Sequence, residues 1–201
     1  NIPTHYIMRE FPNIYEFDND GVGKYISSDF KDLRPKSAHF SQDKEGYWYY
    51  YDEYGQPGVG AETIDGYDMY FHFGTRRQAK GEFVDVNGKV YYFDKDNGRK
   101  VKDTTFDING KTYVADQSGI LSIKSQSTER NRYSSDSEGN WYYVNGKGDL
   151  LLGAQTIDNV KVYFDTKGVQ YKGHFAPDHH YYDKDTGALV TDRLVKDGSK
   201  E

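Results

Sequence analysis

A chain of 201 residues with a formal charge of −6, no cysteine and no basic block excludes disulfides, zinc–thiolate sites and thiol catalysis, and argues against nucleic acid or an anionic membrane surface as partner. Tyr (20), Phe (11) and Trp (2) supply about half of its 35% hydrophobic fraction, so the apolar layer must be built from rings rather than from a thick aliphatic core. No apolar run approaches the roughly 18–20 residues of a transmembrane helix, and the N-terminus does not read as a signal peptide. The lack of cysteine suits an exported protein of a Gram-positive bacterium.

In chain order, residues 1–39 fit the pattern that follows poorly, although 15–27 (YEFDNDGVGKYIS) read as a degenerate hairpin. Thereafter an aromatic strand core recurs: WYYYD (48–52), MYFHF (69–73), VYYFD (90–94), TYVAD (112–116), WYYVN (141–145), VYFDT (162–166) and HYYDK (180–184). Tyr49, Tyr70, Tyr91 and Tyr113 lie 21, 21 and 22 residues apart, and Tyr142, Tyr163 and Tyr181 lie 21 and 18 apart. Between the cores stand Asp65-Gly66, Asn87-Gly88, Asn97-Gly98, Asn109-Gly110, Asn145-Gly146 and Thr186-Gly187. Such pairs between aromatic runs signal tight hairpins, because a type I′ turn needs positive φ at both central residues.

One hairpin cannot bury an aromatic face alone, so neighbouring units must stack. The expected fold is all-β: tandem short β-hairpins stacked as a β-solenoid-like array. A longer repeat overlies the short one. Residues 40–66 match 133–159 at a constant offset of 93, RQAKG (77–81) matches VQYKG (169–173) at 92, and KDNG (95–98) matches KDTG (184–187) at 89. This divides the chain into a leader (1–39), a first repeat unit (40–122), a polar joint (123–132) and a truncated second unit (133–201).

The ordered set W-Y-Y-[FVY]-[DN], G-A-[QE]-T-I-[DN]-[GN] and Y-F-x-x-x-G-x-Q-x-K-G, present twice, resembles the glucan-binding repeats in the C-terminal part (often called domain V) of bacterial glucansucrases. The resemblance covers 40–81 and 133–173 strongly, and 82–122 and 174–195 less so. It implies shallow pockets for glucosyl units, each lined by a ring from a YYF-type strand and by a Gln and a Lys. Carried over, these are Gln78 with Lys80 and Gln170 with Lys172, with rings from Tyr49, Tyr50, Tyr91, Tyr92, Tyr142, Tyr143, Tyr181 and Tyr182. Glu62 stands where the second copy has Gln155, and Lys100 and Lys102 replace the Gln and Lys of a third site.

The residue types suit a neutral sugar. Residues i and i+2 of a strand share a face, so each Gln and its Lys point the same way. An amide both donates and accepts, an ammonium donates three times, and a ring covers the C–H face of a pyranose. Trp48 and Trp141 are read as structural. His174, His179 and His180 lack a carboxylate at matching spacing, and Asp94-x-Asp96 and Asp183-x-Asp185 read as turns rather than calcium loops, so neither metal nor cofactor is expected.

The resulting expectation is a non-catalytic module that binds α-1,6-linked, dextran-like glucan or isomalto-oligosaccharides. It would be part of a secreted or cell-surface glucosyltransferase acting on sucrose (a glucansucrase or branching sucrase), with that enzyme's catalytic domains as its partners. The alternatives are a choline- and teichoic-acid-binding module and a structural spacer.

Overall fold

The structure, a computed structural model, describes residues 6–10, 13–17, 23–27 and 37–191, with side chains from residue 37 onward. Two compact units divide the chain: Asn1–Val59 with Phe73–Arg77, and Gly60–His72 with Gln78–Glu201. Every regular element among the described residues is a short strand. In the first unit β1 (Tyr6–Glu10), β2 (Asn13–Phe17) and β3 (Gly23–Ser27) form an antiparallel three-stranded sheet. Its β2–β3 pairing falls on the segment read as a degenerate hairpin. β4 (His39–Gln42) and β5 (Trp48–Tyr51) follow as a separate hairpin.

The second unit continues with hairpins β6 (Gly60–Ile64)–β7 (Tyr67–Phe71) and β8 (Glu82–Val86)–β9 (Lys89–Phe93). Next come β10 (Thr104–Ile108), β11 (Lys111–Ala115), β12 (Leu121–Lys124), β13 (Arg132–Ser135), β14 (Trp141–Val144) and β15 (Asp149–Leu151). These six form one sheet in the order β10-β11-β12-β15-β14-β13. Residues 123–132 therefore begin in β12 and end in β13 of the same sheet. The hairpin β16 (Gly153–Ile157)–β17 (Val160–Phe164) closes the strand list. HYYDK makes only the bridges Phe175↔Tyr181 and Tyr182↔Leu189. The turns at 176–180 and 183–187 crowd it on both sides.

Two turn chemistries build this array. Asp65-Gly66, Asn87-Gly88 and Asn109-Gly110 have positive φ at both residues, as does Asp158-Asn159 in the second copy. These are the two-residue turns whose twist matches the strands they join. The second kind is anchored by an Asx side chain. Asp43, Asp52, Asp116, Asp136 and Asp165 each accept N–H bonds from residues i+2 and i+4 on Oδ1. Asp94 and Asp183 anchor the turns ending at Gly98 and Gly187, so these acidic pairs are turns, as read. Asn145-Gly146 belongs here too, against expectation. Asn145 Oδ1 accepts from Lys147 and Asp149, and positive φ falls on Gly148 instead.

The copies repeat in burial as well as in sequence. β6 and β16 share one inside–outside pattern, and Met69, Tyr70 and Phe71 are buried like Val162, Tyr163 and Phe164. They diverge where Pro57 stands at the position of Leu150. Lacking an N–H, a proline cannot sustain a ladder, and Tyr51↔Pro57 is one bridge whereas Leu150 pairs with both Val144 and Ile123. Within the second unit the repeats also interlock. The Ala154 N–H donates to the Gly88 carbonyl (2.7 Å), and the Tyr163 hydroxyl donates to Asp85 Oδ2 (2.5 Å). Ring clusters fill the core, with Phe83 and Phe106 packed on Tyr113 at 4.9 and 5.6 Å and Tyr163 on Tyr182 at 5.9 Å.

Candidate functional site

The two Gln–Lys pairs, read from the sequence as strand residues, lie outside the strands, with each Gln at an isolated bridge, and both members of each pair reach the following turn. Gln78 and Gln170 occupy the bridges to Phe71 and Phe164 and are 7% and 6% exposed. Their Nε2 atoms donate to the carbonyls of Asn97 (3.4 Å) and Thr186 (3.3 Å). Lys80 and Lys172 donate to the adjacent carbonyls of Asp96 (2.7 Å) and Asp185 (3.1 Å). The glutamines lie so close beneath Gly98 and Gly187 that a Cβ on either glycine would stand 2.3 Å from the amide nitrogen. As arranged, the pairs hold the Asx turns in place. Lys100 takes the same bridge position, opposite Phe93, and with Lys102 it pairs to Asp68 at 3.0 and 3.1 Å.

Gln170→Ala therefore empties a buried site beneath the 183–187 turn and strips the Thr186 carbonyl of a donor. It should cost about 1–3 kcal/mol, measured by urea unfolding. A variant as stable as the parent would mean that the amide does not hold the turn.

The candidate tyrosines divide by environment. Tyr50 packs on Phe40 (5.1 Å), Tyr92 on Phe83 and Phe106 (5.0 and 5.1 Å), Tyr143 on Tyr133 (5.1 Å) and Tyr181 on Phe175 (5.3 Å). Tyr182 is 2% exposed and donates to Asp178. Tyr91 borders a cleft of about 160 Å³ with Tyr70, Met69, Asp68 and Lys100, and the Lys100 ammonium stands 5.1 Å above its ring. Trp141, read as structural, has its indole on the surface at 40% exposure, with Lys172 Nζ 5.0 Å over the ring. Trp48 is half-buried.

Tyr142 lines a larger polar cleft of about 440 Å³, together with Asp136, Glu138, Asn140, Asp165, Lys111, Lys167 and Val169. Turns supply most of its polar groups, and β14 supplies the ring. The Tyr142 hydroxyl and the Asn140 amide both donate to Asp136 Oδ2, at 2.7 and 3.0 Å. Those bonds, from Asn140 first and then Tyr142, hold the Asp136 carboxyl at about 2. Burial, and then the bond to Asp136, push Tyr142 up to about 12. Acceptors, an amide and two ammonium groups around a phenol ring are the complement of a neutral polyol. Of the cleft's residues only Tyr142 was a sequence candidate. The missed signal is the spacing Asp136-x-Glu138-x-Asn140-x-Tyr142, which sets polar side chains of a turn beside a strand ring.

A tyrosine whose folded pKa lies above its unfolded value adds stability that is complete below the unfolded value and lost as pH rises past it. For Tyr142 the window runs from pH 10 to about 12. Burial, followed by bonds to Asp85 and Asp178, shifts Tyr163 and Tyr182 in the same direction. The melting temperature should fall with pH from about 10 upward, and Tyr142→Phe should flatten the early part of that fall. A flat profile up to pH 12 would contradict this ionisation linkage.

The family model described as a choline-binding repeat matches residues 59–106 and 151–194. Glucosyltransferase-S of Streptococcus mutans is 32% identical over 78% of this chain, and glucosyltransferase-I of Streptococcus downei is 33% identical over 94%. The chain spans only 9% and 11% of their lengths. Among solved structures, alternansucrase in complex with isomaltononaose is 32% identical over 93% of this chain and 13% of that one, with a TM-score of 0.38. Choline binding protein F of Streptococcus pneumoniae is 22% identical over 92% of this chain and 57% of that one, with a TM-score of 0.40. The resemblance drawn from the motifs is borne out: the chain is a hairpin-repeat relative of the bacterial glucansucrases, matching about a tenth of the length of these enzymes.

Proposed function

We propose that this chain is a non-catalytic module that binds dextran-like α-glucan, as an accessory segment of an exported glucansucrase or branching sucrase. The observation that carries the reading is the Tyr142 cleft, an aromatic face ringed by donors and acceptors of both signs and open to solvent. Nearby, Trp141 offers a second ring, with the Lys172 ammonium over it as a donor. Gln78, Lys80, Gln170 and Lys172 then act mainly by holding the turns that shape such sites. Each site makes few contacts, so single-site affinity is weak. A 1 mM dissociation constant corresponds to only about −4.1 kcal/mol, and repetition along a polymer raises the avidity. The relatives' names and the small share of them that this chain matches support an accessory role beside catalytic domains.

A choline site is the second reading, because the matching family model is a choline-binding repeat. Such a site needs aromatic faces around a quaternary ammonium. Here the chain's own ammonium groups stand over Tyr91 and Trp141, which favours sugar. The decisive measurement is native electrophoresis through a gel containing dextran. The chain should be retarded relative to a non-binding control, and choline should not reverse the retardation. Unchanged mobility would sink the glucan reading in favour of a spacer role, whereas stabilisation by choline would favour the second reading.

A further inference from the structure

The 93-residue offset maps Asp136, Glu138, Asn140 and Tyr142 onto Asp43, Glu45, Tyr47 and Tyr49. The hairpins carrying them have the same register, Ser134↔Tyr142 in one and Ser41↔Tyr49 in the other. The internal bond is repeated too, since the Tyr49 hydroxyl donates to Asp43 Oδ2 at 2.8 Å as Tyr142 does to Asp136. Two differences stand out: Asn140 is replaced by Tyr47, and the residue preceding the buried glutamine changes. In the second copy it is Val169, a wall of the open cleft; in the first it is Arg77.

The Arg77 guanidinium lies 3.5 Å above the Tyr47 ring. Its Nη2 meets Glu45 Oε2 at 3.1 Å, and its Nε points at the Tyr49 hydroxyl at 3.4 Å. One planar cation thus covers the Tyr47 ring, engages the Glu45 carboxylate and donates to the Tyr49 hydroxyl, at the three positions that in the second copy (Glu138, Asn140 and Tyr142) line the open cleft. A guanidinium stacks on a ring and bonds a carboxylate at the same time because its donors lie in the plane and its faces are weakly hydrated.

We propose that Arg77 is an internal plug that closes the first copy's version of the cleft, leaving the second copy's as the open one. The proposal rests on the reading of the Tyr142 cleft as a sugar site. A ligand that binds weakly cannot displace a side chain that is tethered in place and therefore present at high effective concentration. The two copies are then one duplicated site in a closed and an open form, and the residue before the glutamine decides which.

The test is a titration of the isotope-labelled chain with isomaltotriose, followed by amide chemical shifts at 43–49 and 136–142 separately. The parent should respond at 136–142 alone. Arg77→Val should add a response at 43–49 of similar midpoint, at least tenfold stronger than any residual parent response there. Val169→Arg should abolish the response at 136–142. A folded Arg77→Val chain still silent at 43–49 overturns the proposal. Where that substitution loosens the first hairpin, Val169→Arg decides: an unaltered response at 136–142 overturns the plug, and its loss supports it. If the parent is silent at both places and Arg77→Val responds at 43–49, the plug stands and the reading of the second cleft falls. Silence in every variant overturns both.

Discussion

Gly153→Ala is expected to lower the unfolding free energy by about 3 kcal/mol, the sum of a left-handed backbone cost and an overpacking cost of similar size. Gly153 has φ +70°, and a Cβ there would stand 2.3 Å from the Gly88 carbonyl oxygen. That carbonyl accepts the Ala154 N–H, so the methyl group cannot be admitted without breaking the bond that joins the β8–β9 turn to β16. Beside that turn stands Asp85 of β8, whose carboxylate accepts from the Gly88 N–H at 2.8 Å and from the Tyr163 hydroxyl. Displacing it loosens two further bonds. Gly110→Ala is the control: φ is +77° with nothing within 4 Å of the added carbon, so only the backbone cost of about 1–2 kcal/mol should appear. Both substitutions change the unfolded chain alike, so their difference isolates the contact. Equal values in urea unfolding would mean that the interlock between repeats does not contribute to stability.

Tyr142→Ala should weaken retention on dextran about tenfold, a loss of about 1.4 kcal/mol, within the range of one aromatic contact. The substitution removes the ring from the cleft and leaves Asp136 with the Asn140 amide as its remaining side-chain donor in that network. Tyr142→Phe keeps the ring and should keep most of the binding. Gln170→Ala should reduce stability, with binding falling only in step with unfolding, because its buried amide is bonded to the Thr186 carbonyl of the turn. Mobility of Tyr142→Ala equal to the parent's in the dextran gel would remove the cleft as the site and move attention to Trp141 and Lys172. A tenfold loss for Gln170→Ala in a fully folded chain would instead restore the glutamine as a ligand contact.

Much of the architecture was legible in the residues. Six of the seven aromatic cores coincide with strands β5, β7, β9, β11, β14 and β17, and Asp65-Gly66, Asn87-Gly88 and Asn109-Gly110 are the expected two-residue turns. Both signals are local, since ring alternation and positive φ are set within a few residues. The turn at Asn145-Gly146 went elsewhere because the Asn145 side chain competes for the backbone N–H groups and moves the left-handed residue to Gly148. That competition is also local, but the dipeptide alone does not reveal it.

By itself, then, the sequence determined an all-β array of ring-faced hairpins in two copies, and which side of each strand a residue occupies. Only the tertiary structure decided what covers each side. Gln78 and Gln170 reach the same turn as their lysines, yet they do so from isolated bridges outside the strands, and that turn closes over their amides. The Tyr142 ring stays in an open cleft, while Arg77 lies over the corresponding first-copy hairpin. Alternation fixes direction within one strand, whereas accessibility depends on a neighbour 16 to 28 residues away that folds back onto it; no period-two pattern carries that information.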